Sequence, residues 1–176
     1  MKNCFLIILS LVFFSCGETN KEKQPEVITV ETEAEIHKPA DLQAEFKAGL
    51  IEEIYKNYNA VKSALVNSDP EKVQKAAKNL VETLQKTKFS SSLGAVATEM
   101  SKANNLEAQR KAFSSLTEKM LPLVETNLNS GKLYYQYCPM AFQGKGGYWL
   151  SNGKEIRNPY FGDKMLKCGR VEKVIN

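Results

Sequence analysis

The chain has 176 residues, which is about the size of one domain. Hydrophobic residues make up 43% of it and charged residues 25%, and both values are ordinary for a globular protein. The net charge of +4 is spread along the chain, without a Lys- or Arg-rich run interleaved with aromatic residues. We therefore exclude a nucleic-acid-binding protein that grips phosphates through a basic patch.

The first 15 residues are typical of an export signal. A short positive start (MKN) precedes an apolar segment over residues 5–14, which is too short to cross a bilayer as a helix. Ser15 and Cys16 follow directly, and this arrangement resembles the lipobox of bacterial lipoproteins. The resemblance implies cleavage before Cys16 and lipidation of its thiol. A secretory signal with a coincidental cysteine is the alternative, and the protein is predicted to be exported in both cases.

Residues 16–40 are predicted to be the lipid anchor and a flexible tether, because they are polar, mixed in charge and interrupted by Pro25 and Pro39. A short strand over residues 27–30 is an alternative for part of this segment. His37 is the only histidine of the chain. We expect its side chain to be solvated and not to bind a ligand. The remaining residues, 41–176, are predicted to form a single domain.

Residues 41–129 carry the spacing of apolar side chains that is typical of amphipathic helices. Four helices are predicted, over residues 41–67, 70–86, 90–103 and 106–127. Their apolar stripes are Phe46, Leu50, Ile54, Tyr58, Val61 and Leu65; Val73, Ala77, Leu80 and Leu84; Leu93, Val96 and Met100; and Phe113, Leu116, Met120 and Val124. Short connections predict an antiparallel up-and-down bundle. The fold class is therefore α+β and mainly α, with a small β-hairpin segment at residues 130–176.

Individual residues refine this helical pattern. Asp69 is predicted to be an N-cap with Pro70 at the first helical position, where its missing N–H has no cost. Pro122 predicts a kink in the fourth helix, or a break around Met120. Arg110 is predicted to make a structural contact. Met100 and Met120 lie on the apolar stripes and are expected to fill the core.

The C-terminal segment changes character and is rich in glycine and aromatic residues. Residues 133–137 are predicted to form a strand. Residues 148–156 predict a β-hairpin, because Asn152-Gly153 suits a type I′ turn. Residues 143–147 (QGKGG) are predicted to form a flexible loop and lack the spacing of a phosphate-binding loop.

Two cysteines remain for chemistry in the mature protein. Cys4 leaves with the signal segment and Cys16 is used for lipidation, so Cys138 and Cys168 are left. A pair of cysteines in an exported protein is normally a disulfide. Such a disulfide would close a loop of about 30 residues and stabilise the fold by about 3–4 kcal/mol in the chain-entropy model.

A soft-metal site is the alternative to the disulfide. Cys138 with Met140, and Met165 with Cys168, each offer one thiolate and one thioether, which together select Cu(I) or Ag(I). Trp149 is a candidate to lie over the bound cation and shield it, and simple packing is the alternative. The disulfide and the metal exclude each other, because a metal needs free thiolates. Residues alone leave both open.

Two stretches, YCPMAFQGKGGYWLS and EIRNPYFGDKMLKCG, are similar to a domain of unknown function. That domain occurs as a lipoprotein or attached to periplasmic adaptor subunits of copper/silver RND efflux systems. The helical stretch VKSALVNSDPEKVQKAAKNL and the spacing of Arg110, Phe113 and Leu116 fit as well, so the resemblance spans residues 54–171. The C-P-M sequence is also similar to the heavy-metal motif Cys-Pro-Met-His-Pro. Ala141 replaces its histidine, so that site is not transferred.

The resemblance implies heavy-metal handling in the envelope of a Gram-negative-type bacterium, on a periplasm-facing lipid anchor. The partners that it implies are the membrane and a heavy-metal efflux adaptor or metallochaperone. The other hypothesis is a structural module that is stapled by a Cys138–Cys168 disulfide and docks an envelope partner. An enzyme is not expected, because no acid–base pair, nucleophile–histidine pair or organic-cofactor fingerprint is present.

Overall fold

The computed structural model describes residues 36–85 and 87–176. Its helices are α1 (Gly49–Val66), α2 (Pro70–Gln85), α3 (Leu93–Lys102) and α4 (Leu106–Asn127), with a single short turn, α5 (Ala141–Gly144). The strands are β1 (Ala44–Phe46), β2 (Leu128–Gly131), β3 (Leu133–Cys138), β4 (Gly147–Ser151) and β5 (Arg170–Ile175). A 3-10 helix covers Gly162–Met165. The predicted fold class, α+β and mainly α, is confirmed.

The predicted apolar stripes form the core of the helical part. Consecutive helices pack on one another, and α4 also returns to α1, as expected for a bundle with short connections. Met100 and Met120 have no exposed surface, which confirms that they fill the core. The buried stripe residues are Ile54, Tyr58, Val61, Leu65, Val73, Ala77, Leu80, Leu84, Leu93, Met100, Phe113, Leu116, Met120 and Val124.

The first helix begins later than predicted. β1 precedes it and pairs antiparallel with β2, with Ala44 opposite Gly131. Phe46 is therefore buried from a strand, and Leu50 remains 38% exposed on the helix. Apolar residues that recur every four positions do not reveal a strand, because the hydrogen-bonding partner of that strand lies more than eighty residues away in the chain.

The predictions for the helix ends have mixed outcomes. Asp69 Oδ1 accepts a hydrogen bond of 2.9 Å from the Lys72 backbone N–H, which confirms the N-cap, and α2 begins at Pro70. The predicted break near Met120 is wrong, because α4 runs through Pro122 to Asn127. Leu123 and Val124 are buried beyond the proline, and this packing holds the last turns of the helix.

The larger sheet has the strand order β4-β3-β5, and both pairings are antiparallel. The predicted strand at 133–137 is confirmed as β3, whereas the predicted 148–156 hairpin is wrong. β4 pairs with β3, and residues 152–155 form a bend. The Gln136 side-chain amide donates to the carbonyl oxygens of Gly153 and Lys154 at 3.1 Å. A buried side chain from β3 therefore takes the place of the expected second strand.

The sheet and the helices share one core. The Leu150 backbone N–H of β4 donates to the Tyr58 hydroxyl oxygen on α1 at 3.0 Å, and that hydroxyl also bonds Thr117 on α4 at 2.8 Å. The Phe113 ring packs between those of Tyr58 and Tyr160, with centroid distances of 5.1 and 6.0 Å. Aromatic contacts thus connect the bundle to the C-terminal segment.

His37 is buried, so the prediction that it is solvated is wrong. Its side chain is 7% exposed, and its Nε2 lies 2.6 Å from Asp163 Oδ1. Arg157 Nη1 lies 3.2 Å from Nδ1. Arginine can only donate, so Nδ1 accepts and the ring proton is on Nε2, facing Asp163. The backbone N–H of His37 also donates to Asn67 Oδ1 at 2.8 Å.

The signal segment, the lipidation at Cys16, the alternative strand at 27–30 and most of the tether lie outside the described residues. Within the part of the chain that the structure describes, no helix combines the length and the apolar character needed to cross a membrane.

Candidate sulfur site

The two cysteines lie side by side. Cys138 ends β3 opposite Gly147 and has no exposed surface, whereas Cys168 lies just before β5 and is partly exposed. Their Sγ atoms are 3.4 Å apart, although 30 positions separate them in the chain. Both are free thiols. The pairing of β5 with β3 therefore brings Cys138 and Cys168 together. These two cysteines were predicted to form either a disulfide or part of a metal site.

Gly169 permits this approach. Its φ of +144° lies in a region that L side chains rarely adopt. A Cβ atom at residue 169 would lie 2.7 Å from the Tyr137 carbonyl oxygen and 3.0 Å from Trp149 Cη2. Only glycine lets the backbone beside Cys168 come this close to β3 and β4.

Asn158 holds the loop that carries Cys168. It is fully buried, and its side chain donates to the Cys168 carbonyl oxygen at 2.8 Å and accepts from the Tyr160 backbone N–H at 2.8 Å. Its backbone N–H donates to the Leu166 carbonyl oxygen, and its carbonyl oxygen accepts from Gly162. One residue thus satisfies backbone groups at both ends of the loop. Asn158 was not among the residues predicted to form the site.

The electrostatics of the pair favour the protonated form of the Cys168 thiol. Loss of solvation raises the pKa of the Cys168 thiol above its ordinary value, and the neighbouring Cys138 raises it further by hydrogen bonding and by charge. A second negative charge 3.4 Å from a first is unfavourable. A cation between the sulfurs therefore favours formation of the dithiolate. A two-electron oxidant would instead convert the two thiols to a disulfide, with release of two protons.

The methionines occupy a different surface from the cysteines. Met140 is 54% exposed, and Met165 is partly buried in the 3-10 helix. Both line a cavity of about 860 Å³, which also borders α4 and is not lined by Cys138 or Cys168. The structure therefore brings the two thiols together and places the two thioethers along a separate cavity.

The cavity, which we call the methionine cavity, is bordered by basic side chains. Arg110, Lys111 and Lys145 line it together with Glu107. Arg110 Nε donates to the Pro159 carbonyl oxygen at 2.9 Å and its Nη2 donates to Ser68 Oγ at 3.1 Å. The predicted structural contact of Arg110 is confirmed, and it anchors the loop next to Asn158.

Trp149 lies in the core beside the thiol pair. It is fully buried, and its Nε1 donates to Gln136 Oε1 at 2.6 Å. Its ring meets Tyr160 edge to face with centroids 5.9 Å apart. These contacts are those of a packed core residue. Simple packing was the alternative to the prediction that Trp149 shields a bound cation. Gln136 was missed by sequence reasoning, although a lone amide within an aromatic strand is a signal of a buried hydrogen-bonding role.

The donor set consists of two thiols and two thioethers. The described residues contain no group of three or more His, Cys, Asp or Glu side chains placed to hold a metal ion. Thioether and thiolate sulfurs are the ligands that Cu(I) prefers. The chemistry of the donors therefore fits a soft monovalent ion.

The sequence model of a family described as "Protein of unknown function (DUF3347)" matches residues 54–131. The match begins within α1 and ends with β2, so that this helical part of the chain is similar to the family. The thiol pair and the methionine cavity lie mainly in the segment that follows. No curated protein and no solved structure matches the chain.

Proposed function

We propose that the protein is a lipid-anchored component of the cell envelope that binds Cu(I), or Ag(I), as cargo in copper and silver handling. Cys138 and Cys168 are the primary ligands of this proposal. The observation that carries it is the 3.4 Å separation of two free thiols on one folded domain. Two soft sulfur donors at this distance need little rearrangement to bind one soft ion.

The change in geometry that metal binding requires is small. At a metal–sulfur distance of about 2.3 Å, two thiolates lie about 3.8 Å apart in a tetrahedral site and about 4.6 Å apart in a linear one. The thiol pair therefore has to open by about 0.4–1.2 Å. Cys168 is partly exposed and precedes β5, so it is the ligand that moves, while Cys138 remains fixed in β3.

Met140 and Met165 supply thioethers close in the chain to each cysteine. Met140 follows Cys138 by two residues and Met165 precedes Cys168 by three. Because both methionines line the methionine cavity, we propose that they bind the ion on entry or complete its coordination. Binding replaces thiol protons, so affinity rises with pH until both thiols are deprotonated.

A competition titration tests the proposal. The fully reduced protein is expected to take Cu(I) from a chromogenic chelator in a 1:1 ratio, and Cys138→Ser or Cys168→Ser should abolish this binding. Met140→Leu and Met165→Leu should weaken it, whereas Met100→Leu in the helical core is the matched control and should leave it unchanged. Absence of Cu(I) binding by the reduced wild-type protein would contradict the proposal.

The second candidate is a structural module stapled by a Cys138–Cys168 disulfide that docks an envelope partner. The same 3.4 Å separation supports it, because a disulfide of about 2.05 Å requires an approach of about 1.4 Å. Mass spectrometry of protein isolated without reductant from metal-replete cells distinguishes the candidates. A stoichiometric disulfide favours the module, and two free or metal-bound thiols favour the carrier.

The anchor and the partner complete the proposal. Lipidation at Cys16 would hold the protein on a membrane, where an efflux adaptor or a metallochaperone is the proposed partner. Metabolic labelling with a radioactive fatty acid is expected to mark the wild-type protein and not a Cys16→Ala variant. Labelling that persists in the Cys16→Ala variant would contradict lipidation at Cys16.

A further inference from the structure

Lys62 is a buried cation, and none of the ion pairs among the described residues includes it. It lies on α1 and its side chain is 4% exposed. Its Nζ donates one hydrogen bond of 3.1 Å, to Ser151 Oγ at the end of β4. Among the described residues no carboxylate lies within ion-pair distance of this ammonium group. A buried ammonium with unused donors costs several kcal/mol.

A small cavity adjoins the Lys62 side chain. Its volume is about 40 Å³, and residues 37–40, α1 and the segment 151–157 enclose it. We call it the lysine cavity. A single water molecule needs about 10–15 Å³ of such volume, so the space holds a compact ion and excludes a bulky organic one.

The charges that face the lysine cavity do not neutralise Lys62. Glu155 is within 3.2 Å of Arg157 Nη2, so its carboxylate is already paired. His37 uses its two ring nitrogens on Asp163 and Arg157. Lys38 adds a further positive charge to the lining. The cavity therefore has a net positive character.

The hydroxyl of Ser151 provides a second donor for an anion. Its Oγ accepts from Lys62, so its own proton is free to be donated to a second atom in the cavity. Burial lowers the pKa of the Lys62 ammonium to about 8, which leaves the group mainly charged at neutral pH. Two donors, one of them cationic, thus converge on one small space.

We propose that the lysine cavity binds one compact monovalent anion, of the size of chloride, between Lys62 Nζ and Ser151 Oγ. The anion neutralises the buried ammonium and tightens the contact of residues 37–40 with α1 and β4. This anion site involves neither the thiol pair nor a metal. Failure of the proposed function would therefore leave the anion site untouched, and the reverse also holds.

Salt-specific stability tests the site. The free energy of unfolding of the full chain is measured in sodium chloride and in sodium gluconate at equal ionic strength. Gluconate is too large for the cavity, so only chloride is expected to stabilise. Above the dissociation constant, each tenfold rise in chloride should raise the folding equilibrium constant about tenfold. Equal stability in both salts would mean that water fills the cavity, and would overturn the proposal.

Variants separate this site from general salt effects. Lys62→Met is expected to remove the difference between chloride and gluconate, and Ser151→Ala, which keeps the lysine, to reduce it. Lys56→Met, on the exposed side of α1, is the matched control and should keep the wild-type response. A chloride response that survives in Lys62→Met overturns the assignment.

A crystallographic measurement does not depend on the variants. Wild-type crystals grown in sodium bromide are expected to show an anomalous peak about 3–3.5 Å from Lys62 Nζ, within charge-assisted hydrogen-bonding distance of a large anion. If Lys62→Met fails to fold, this experiment still decides the question. A cavity without anomalous signal would rule out the site.

Discussion

The side-chain amide of Asn158 donates a 2.8 Å hydrogen bond to the carbonyl oxygen of Cys168. Asn158→Ala would leave that oxygen, and the Tyr160 backbone N–H, without a partner in a buried setting. Each such group costs about 1–3 kcal/mol, so we expect the two together to lower the free energy of unfolding by about 2–6 kcal/mol. Urea denaturation measures this loss.

An asparagine outside the loop supplies the control for this prediction. Asn104 is exposed, and Asn104→Ala is expected to change the free energy of unfolding by less than about 0.5 kcal/mol. If Asn158→Ala changes stability as little as Asn104→Ala does, Asn158 does not hold the Cys168 loop.

Two glycine substitutions are expected to act in opposite directions. Gly169→Ala forces a Cβ to within 2.7 Å of the Tyr137 carbonyl oxygen, at a φ that alanine disfavours. We expect a loss of about 2–4 kcal/mol, because the clash and the backbone strain add. Gly49→Ala meets no atom within 4 Å and should stabilise by about 0.4–1 kcal/mol.

Thermal unfolding of the two alanine variants measures both effects. The rate at which a mild oxidant joins Cys138 to Cys168 should also fall in Gly169→Ala, because the backbone next to Cys168 moves away from β3. An unchanged rate would mean that the thiols approach each other independently of this glycine.

Lys62 makes the stability depend on pH in the alkaline range. Burial lowers its pKa to about 8, against about 10.4 in the unfolded chain. Between these values the unfolded chain binds more protons at this site, so stability rises with pH. Relative to Lys62→Met, the wild-type protein should gain on the order of 3 kcal/mol between pH 8 and pH 10.5 in gluconate.

The comparison with Lys62→Met isolates this contribution. Tyr55, Tyr58 and Cys168 have pKa values raised by burial and act in the opposite sense in the same range, but they are common to both proteins. His37 and Glu155, which face the lysine cavity, also remain in both. Parallel pH profiles of the two proteins would show that Lys62 titrates as in the unfolded chain.

Asp69, at the start of α2, is expected to make the free energy of unfolding depend on pH in the acid range. Hydrogen bonds from the Lys72 side chain and backbone N–H lower the pKa of its carboxyl group. Its stabilisation is present above about pH 3.9, the pKa in the unfolded chain, and is lost as the pH falls through the lower folded value. Asp69→Ala should cost about 1 kcal/mol at pH 7 and much less at pH 2.

An isosteric variant checks that the acid dependence comes from the charge. Asp69→Asn keeps an oxygen that accepts from the Lys72 backbone N–H and should lose only part of the stabilisation, without the acid dependence. Chemical denaturation of the three proteins at both pH values provides the comparison. A cost of Asp69→Ala that is equal at pH 7 and pH 2 would contradict the role of the carboxylate.

The helical half of the fold is largely predictable because its determinants are local. The stripes of α2 and α4 are spaced at helical intervals, and Asp69-Pro70 marks the start of a helix within a few residues. The start of α1 is not predictable in this way. It depends on β1 pairing with β2, whose residues lie more than eighty positions further along the chain.

The C-terminal segment shows why local signals fail there. Asn152-Gly153 is a favourable hairpin turn, but Tyr55 OH donates to Asn152 Oδ1 at 2.8 Å and Asn152 Nδ2 donates to the Ala40 carbonyl oxygen at 2.8 Å. These contacts come from distant parts of the chain. They stabilise a bend in place of the turn, and β4 pairs with β3 instead.

The sequence alone predicts α2, α3, α4 and strand β3 to within a few residues, and it predicts α1 apart from its start. Only the tertiary structure decided that the thiols lie 3.4 Å apart, that the two methionines share a separate cavity, and that His37 and Lys62 are buried. The physical reason is the range of the interactions. Helical periodicity and capping act over a few residues, whereas the positions of the sulfurs and of the buried charges depend on contacts between segments far apart in the chain.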